Sequence, residues 1–304
     1  MTGSGRSFHR EQRLAAIRRW AVEGVVPERE RLPIEQQFLD RVDRVANPFF
    51  IPVALNALES VDYHRQVSYL LDAFDALPFR VDVAFDSAWK AFESASKRVV
   101  SGNITDRLKW LSAGRIGFDV IDHLCANLPV QSCEYLFKRL ILDSLDGERG
   151  QRPRNRVENL EYPAATQLME LLSRKYGAGP PGLRRKGAMF LRKAVRGDLL
   201  TIDGAAKFQL DARSRAGLLM SGLLYSARND RFHGESFSPF VSSAASLRTY
   251  THPYFSFISS YYLLLCIWAE VHPEVIDFRK GSVLDSLKEN LSYGIELFGS
   301  HWNR

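Results

Sequence analysis

The sequence predicts an all-α protein. Apolar residues return at steps of three and four in stretch after stretch, the spacing that lines one side of a helix. No alternating run of useful length is bounded by hairpin turns, so strand signals are poor. Prolines and glycines fall between the periodic stretches, where helices stop, and no internal repeat is present.

Taken in order, Phe38, Val42 and Val45 mark a helix after Pro33, and Val67, Leu70, Leu71 and Phe74 mark another stopped by Pro78. Between Val81 and Val99, Val81, Phe85, Ala88, Phe92, Ala95 and Val99 form a single stripe with Trp89 beside it. The stretch from Val120 to Leu145 gives one or two helices broken near Pro129. Ala164 to Tyr176 puts Leu168, Leu171 and Leu172 on one face and ends at Gly177. Phe208 to His233 carries Ala216, Leu219, Leu223 and Ala227, with Gly234 where a helix C-terminus favours glycine. Tyr254 to Ala269 is the most apolar stretch; at sixteen residues, three of them serine, it is shorter than the roughly 20 a membrane span needs. It is expected to be a buried core helix. Val283, Leu287, Leu291, Ile295 and Phe298 define a last helix, with Ser282 as N-cap and Asp285 three residues on.

A 45% apolar and 25% charged composition is that of an ordinary globular chain, which excludes wholesale disorder and collagen-like classes. Three scattered cysteines (Cys125, Cys133, Cys266) cannot form a disulfide framework, which fits a reducing compartment. The beginning, Met1 to Arg13, is polar and basic with no signal-peptide stretch, so a cytoplasmic location without a membrane is expected. The Asn103-Ile-Thr105 sequon is uninformative without a secretory signal. The net charge of +6 is not evenly spread. Twelve Arg or Lys against four acids give the segment Gly147–Gly197 a charge of +8, leaving −2 for the remainder. Gly147–Pro153 and Gly177–Gly182 within it are loop-like. The segment is either a solvated surface or a patch for a phosphate backbone, with Arg184, Arg185, Lys186, Arg192 and Lys193 as candidate RNA contacts.

Common catalytic templates fail. Gly177-x-Gly179-x-x-Gly182 matches a dinucleotide fingerprint in form, but Pro180 and Pro181 remove backbone donors and no strand precedes it. His123, Cys125 and Cys133 lack a second ligand pair at zinc spacing, so they are expected in the core, and no metal or cofactor is expected. What remains is Arg228-Asn229-Asp230-Arg231-Phe232-His233-Gly234. Arg228 and Arg231 are permanent cations able to hold a phosphate. His233 can both give and take a proton near neutrality. Arg228 and His233 are five apart, about 140° around a regular helix, whereas Asn229 and His233, four apart, share a face. A site here needs Asn229 with His233, and Arg228 reaching in or a second copy of the chain completing it. The competing reading is a capped helix end bearing a solvated charge cluster.

The run Arg228-Asn229-x-x-Phe232-His233-Gly234 resembles the signature of HEPN domains, an Arg followed by a polar residue and then His, and Ala84–Glu93 resembles the first long helix of many such domains. The resemblance implies a helical bundle over residues 66–304, with residues 1–65 as an N-terminal helical extension and 147–197 as a basic insertion. It implies a homodimer that brings two motifs together. It also implies a metal-independent endoribonuclease leaving 2′,3′-cyclic phosphate and 5′-hydroxyl ends, in a toxin or phage-defence role with a restraining partner. Catalysis would fall to Arg228, Asn229 and His233, with Arg231 as an RNA contact. Glu93 offers a partner for a motif arginine, although its chain spacing does not fix the pairing. A non-catalytic HEPN module binding nucleotide, RNA or protein is the alternative; a DNA-binding scaffold lacks a recognisable recognition helix.

Overall fold

The structure, a computed structural model, describes residues 33–114, 116–202, 206–235, 246–277 and 281–304, with residues 11, 14, 15, 18, 19, 22 and 31 before them. Most of the first half of the expected N-terminal extension therefore lies outside the described residues. The chain runs through α1 (Pro33–Arg44), α2 (Val61–Asp75), α3 (Val81–Ser96), α4 (Ile104–Ser112), α5 (Phe118–Ala126) and α6 (Val130–Phe137). A π turn (Lys138–Leu142) and a 3-10 turn (Asp143–Leu145) extend α6. Next come α7 (Glu148–Glu158), α8 (Pro163–Leu172) and α9 (Pro181–Arg196). An antiparallel ribbon follows, β1 (Leu200–Ile202) on β2 (Ala206–Phe208), with Leu200 opposite Phe208. α10 (Ala212–Gly217) passes through a π segment (Leu218–Leu224) into α11 (Tyr225–Phe232). The chain closes with α12 (Leu247–Val271), α13 (Val283–Phe298) and α14 (Ser300–Asn303). The all-α class stands, with one short ribbon.

α12 is the central helix because its sequence offers no polar face. From Tyr254 to Trp268 every side chain is buried. α3 and α13 pack along it, and α2 packs on α3. Several of the polar side chains that this helix buries find a partner, as burial favours. Trp268 Nε1 donates to Gln66 Oε1 (2.6 Å), and Tyr254 donates to the Asn290 carbonyl (2.9 Å). At 25 residues α12 is long and apolar enough to cross a membrane, so the sixteen-residue length argument is corrected. Burial decides its nature instead: 83% of its most apolar window is enclosed by the rest of the fold.

The sequence misses α4, α7, α9 and α14, and the structure explains each of the first three. Asn103, dismissed as part of a sequon, is the N-cap of α4, where its Oδ1 accepts from Thr105 and Asp106 N–H and Asp106 returns the bond as a capping box. Gly147–Pro153 is not a loop: Gly147 caps α7 and Pro153 lies inside it. Gly177–Gly182 does contain a turn, but Pro181 and Gly182 already belong to α9. The helix expected from Phe208 starts at Ala212, because Phe208 is in the ribbon. The basic segment supplies Val157, Leu168, Met169, Leu172, Leu191 and Val195 to the same core as α12, so its charges ride on the outer faces of packed helices. α1 joins that core too, with the Phe38 ring 4.6 Å from Tyr250.

Candidate active site

The helix bearing the motif is locked at both ends. Asp211 caps α10 by accepting from Ser214 N–H, and the π segment between α10 and α11 is entirely buried. At the C-terminus, Gly234 takes φ +70, which relieves the strain a side chain would meet there. Its N–H bonds the Arg231 carbonyl (3.2 Å), and the Glu235 N–H bonds the Asp230 carbonyl (2.7 Å). These are the two bonds of a Schellman cap, so the capped-end reading of the motif holds as geometry. The cap also fixes where His233 and Glu235 stand.

The motif divides between two faces. On one, Asn229 and His233 line a pocket of about 190 Å³ with Ser226, Asp230 and Glu235. Its opposite wall is Arg139, from the π turn after α6, and Arg149, Arg152, Pro153 and Arg156 of α7. On the other face, Arg228 and Arg231 meet α3. Arg228 Nη2 lies 3.5 Å from Glu93, its guanidinium carbon is 4.3 Å from the centre of the Phe232 ring, and Nη1 donates to Asn229 Oδ1 (3.0 Å). Glu93 is thus the partner of a motif arginine. Because a guanidinium can only donate, the Asn229 atom facing it must be the carbonyl oxygen. Arg231 grips Asp86 through two bonds of 2.6 Å and reaches Asp82 at 3.3 Å. Arg231, expected as an RNA contact, is thus found fastening α11 to α3.

Pocket electrostatics follow from which cations are already paired. Asp230 is buried, accepting from the Tyr135 hydroxyl (2.7 Å) and from Arg139 (2.5 Å). Burial pushes its carboxyl above the ordinary range, while the Tyr135 hydrogen bond and Arg139 work against the shift. Arg139 also meets Asp143 (2.7 Å) and Glu235 (3.6 Å), and Arg149 pairs with Glu235. Arg156 instead donates to Ser226 Oγ (2.7 Å) and lies over the Tyr225 ring at 4.9 Å. Burial lowers its pKa, as desolvation does for any cation. The ring nitrogens of His233 make no hydrogen bond among the described residues, and the ring is exposed.

No protein-family model, curated protein or solved structure gives the chain a significant match. Function is therefore read from the pocket and the motif. Of the α9 candidates, Arg185, Lys186 and Lys193 line a separate open groove of about 460 Å³ with Tyr176, Met189 and Phe190. Arg184 donates to the Gly179 carbonyl, and Arg192 to the Leu128 carbonyl and Asn303. That groove shares no lining residue with the His233 pocket. Cys125, Cys133 and Cys266 are buried, and burial pushes the Cys125 and Cys266 thiols up to about 12. Among the described residues no three His, Cys, Asp or Glu side chains are grouped as metal ligands.

The residues missed from sequence are Arg139, Arg149, Arg152, Arg156, Ser226 and Glu235. A signal for three of them was present. Arg149, Arg152 and Arg156 step by three and four, the spacing of one helix face. Gly150 lets α7 lie close against the 3-10 turn after α6, since a Cβ there would overlap the Asp143 carbonyl oxygen. Backbone cannot swing aside as a side chain can, so Gly150→Ala is expected to displace α7. The expected cost is about 1–3 kcal/mol, read as a lower urea midpoint at unchanged slope.

Proposed function

We propose that the chain is a metal-independent endoribonuclease of HEPN type that acts on RNA in the cytoplasm. The observation supporting this reading best is that Asn229 and His233 stand together on the wall of an arginine-lined pocket. In the proposed reaction the ribose 2′-oxygen attacks the adjacent phosphorus. The 2′-O–P bond forms, the P–O5′ bond breaks, one proton leaves the 2′-hydroxyl and one arrives at O5′, so no further reactant is consumed. His233 serves as the proton carrier at one of these oxygens. Asn229, its carbonyl tied to Arg228, turns its amide N–H groups toward a phosphate oxygen. Arg228 acts through Asn229 as a positioning residue. The exposed Phe232 ring, flanked by Arg228 and Lys90, is the surface on which a second copy would bring its own motif. A toxin or defence role with a restraining partner belongs to the same proposal.

Purified protein incubated with total RNA in excess EDTA is expected to release fragments with 2′,3′-cyclic phosphate and 5′-hydroxyl ends and to leave DNA of matching sequence intact. Cleavage of the DNA, or 3′-hydroxyl ends, would overturn the reading. Binding of RNA without any cleavage would favour the non-catalytic module, a reading supported by the position of Arg228 outside the pocket, against Glu93.

A further inference from the structure

Four guanidinium groups and two carboxylates line the pocket beside His233, a surplus of two positive charges with the imidazole neutral. The surplus has an address. Arg139 is engaged by Asp143, Asp230 and Glu235, and Arg149 by Glu235. Arg152 and Arg156 have no carboxylate within 4 Å among the described residues. Arg156 is mostly enclosed, and its Nε is a buried donor with no partner. An uncompensated cation out of water is costly, and leaving one of its donors unmet adds to that cost.

Arg156 is nonetheless held firmly. Tyr225 lies beneath its guanidinium (4.9 Å), the fully buried Trp89 stacks at 6.1 Å from Tyr225, and Ser226 fixes Nη2. A planar cation held in place on the wall of a cavity, with no carboxylate to neutralise it, is suited to a tetrahedral oxyanion. Size narrows the ligand further. A volume of about 190 Å³ is below the ~300–1,000 Å³ of typical small-molecule sites, so the pocket suits one phosphate group, with the rest of a strand lying outside it.

We propose that Arg156 and Arg152, with Asn229, form the subsite that binds an RNA phosphate next to His233. The neutralising role that the motif assigns to Arg228 then falls to residues of α7 outside the motif. This assignment rests on the ribonuclease reading for its substrate, but the phosphate site itself can be tested without cleavage. Full-length protein is titrated calorimetrically with inorganic phosphate, and with a 2′-deoxy dinucleotide as a competitor that cannot be cleaved. Wild type should bind both in competition. Arg156→Gln and Arg152→Ala should each weaken binding roughly ten- to hundredfold, as loss of a charged hydrogen bond does. Lys288→Ala on α13 removes an exposed cation far along the chain and should change nothing. Arg152 is exposed and unpaired among the described residues, so its variant is expected to fold even if Arg156→Gln does not.

Undiminished phosphate binding in Arg152→Ala and in a folded Arg156→Gln would overturn the subsite, as would no binding by wild type. Phosphate binding that the dinucleotide cannot displace would overturn its assignment to a strand. RNA cleavage is followed in parallel. Cleavage that persists without phosphate binding rejects the subsite alone. Binding that obeys the variants while no RNA is cut supports the subsite and rejects the ribonuclease.

Discussion

His233→Ala is expected to reduce EDTA-resistant RNA cleavage by about 10²–10⁴-fold, the range supplied by a positioned acid or base. The unfolding temperature should stay near that of wild type. His233 follows the last residue of α11, its ring is exposed, and the cap around it is made by backbone groups of Asp230, Arg231, Gly234 and Glu235. Removing the imidazole therefore removes chemistry and little packing. His252 provides the contrast. Burial pushes its pKa down to about 4, it hydrogen-bonds Ser132 (3.0 Å) and it stacks on Tyr135 at 4.7 Å. That ring stays neutral at working pH and lines no part of the pocket. Equal cleavage by wild type and His233→Ala would assign the activity to another site or to a contaminant. The same pair of proteins with Asn229→Ala separates orientation from proton transfer, since the amide contacts phosphate in the proposal and carries no proton.

Helices with a continuous apolar stripe were legible because period and burial coincide. The stripe of α3 and the Ser282-capped α13 lie where their spacing puts them. Helices with thin apolar faces were not. α7 buries only Pro153 and Val157, so its arginines mask the period, and a proline that usually signals a break sits inside it. α9 meets the core through Gly187, Ala188, Leu191, Ala194 and Val195, where three of the five are too small to register as hydrophobic peaks. At the site, helix geometry placed Asn229 and His233 together and turned Arg228 away from His233; in the structure Asn229 and His233 share the pocket wall, while Arg228 lies outside it and bonds Asn229. What single-sequence spacing could not supply was the opposite wall. Arg139, Arg149, Arg152 and Arg156 lie roughly 70 to 90 positions before the motif, and only tertiary packing brings them to it. The charge arithmetic marked the segment that holds α7 but favoured the denser cluster of α9, because charge density along a chain does not reveal which cations are paired in space.

Arg231→Met is expected to destabilise the protein by about 2–4 kcal/mol, toward the lower part of what breaking a buried pair costs because Asp86 keeps some solvent. The substitution leaves the Asp86 carboxylate without its two bonds from Arg231, while Asp82 retains Arg80 at 3.0 Å through both oxygens. Adding Asp86→Leu should recover at least about half of the loss, since an apolar pair of similar volume removes the stranded charge. A urea melt of the two single variants and the double variant gives the coupling directly. The cycle also separates two roles that a single variant would confuse. If Arg231 only fastens α11 to α3, the double variant regains stability and cleaves RNA at close to the wild-type rate per folded molecule. If Arg231 also touches the strand, stability returns while cleavage stays low and its salt dependence flattens by about one phosphate contact. The bidentate geometry with Asp86 favours the first outcome, because Nε and Nη2 are already engaged by carboxylates of α3.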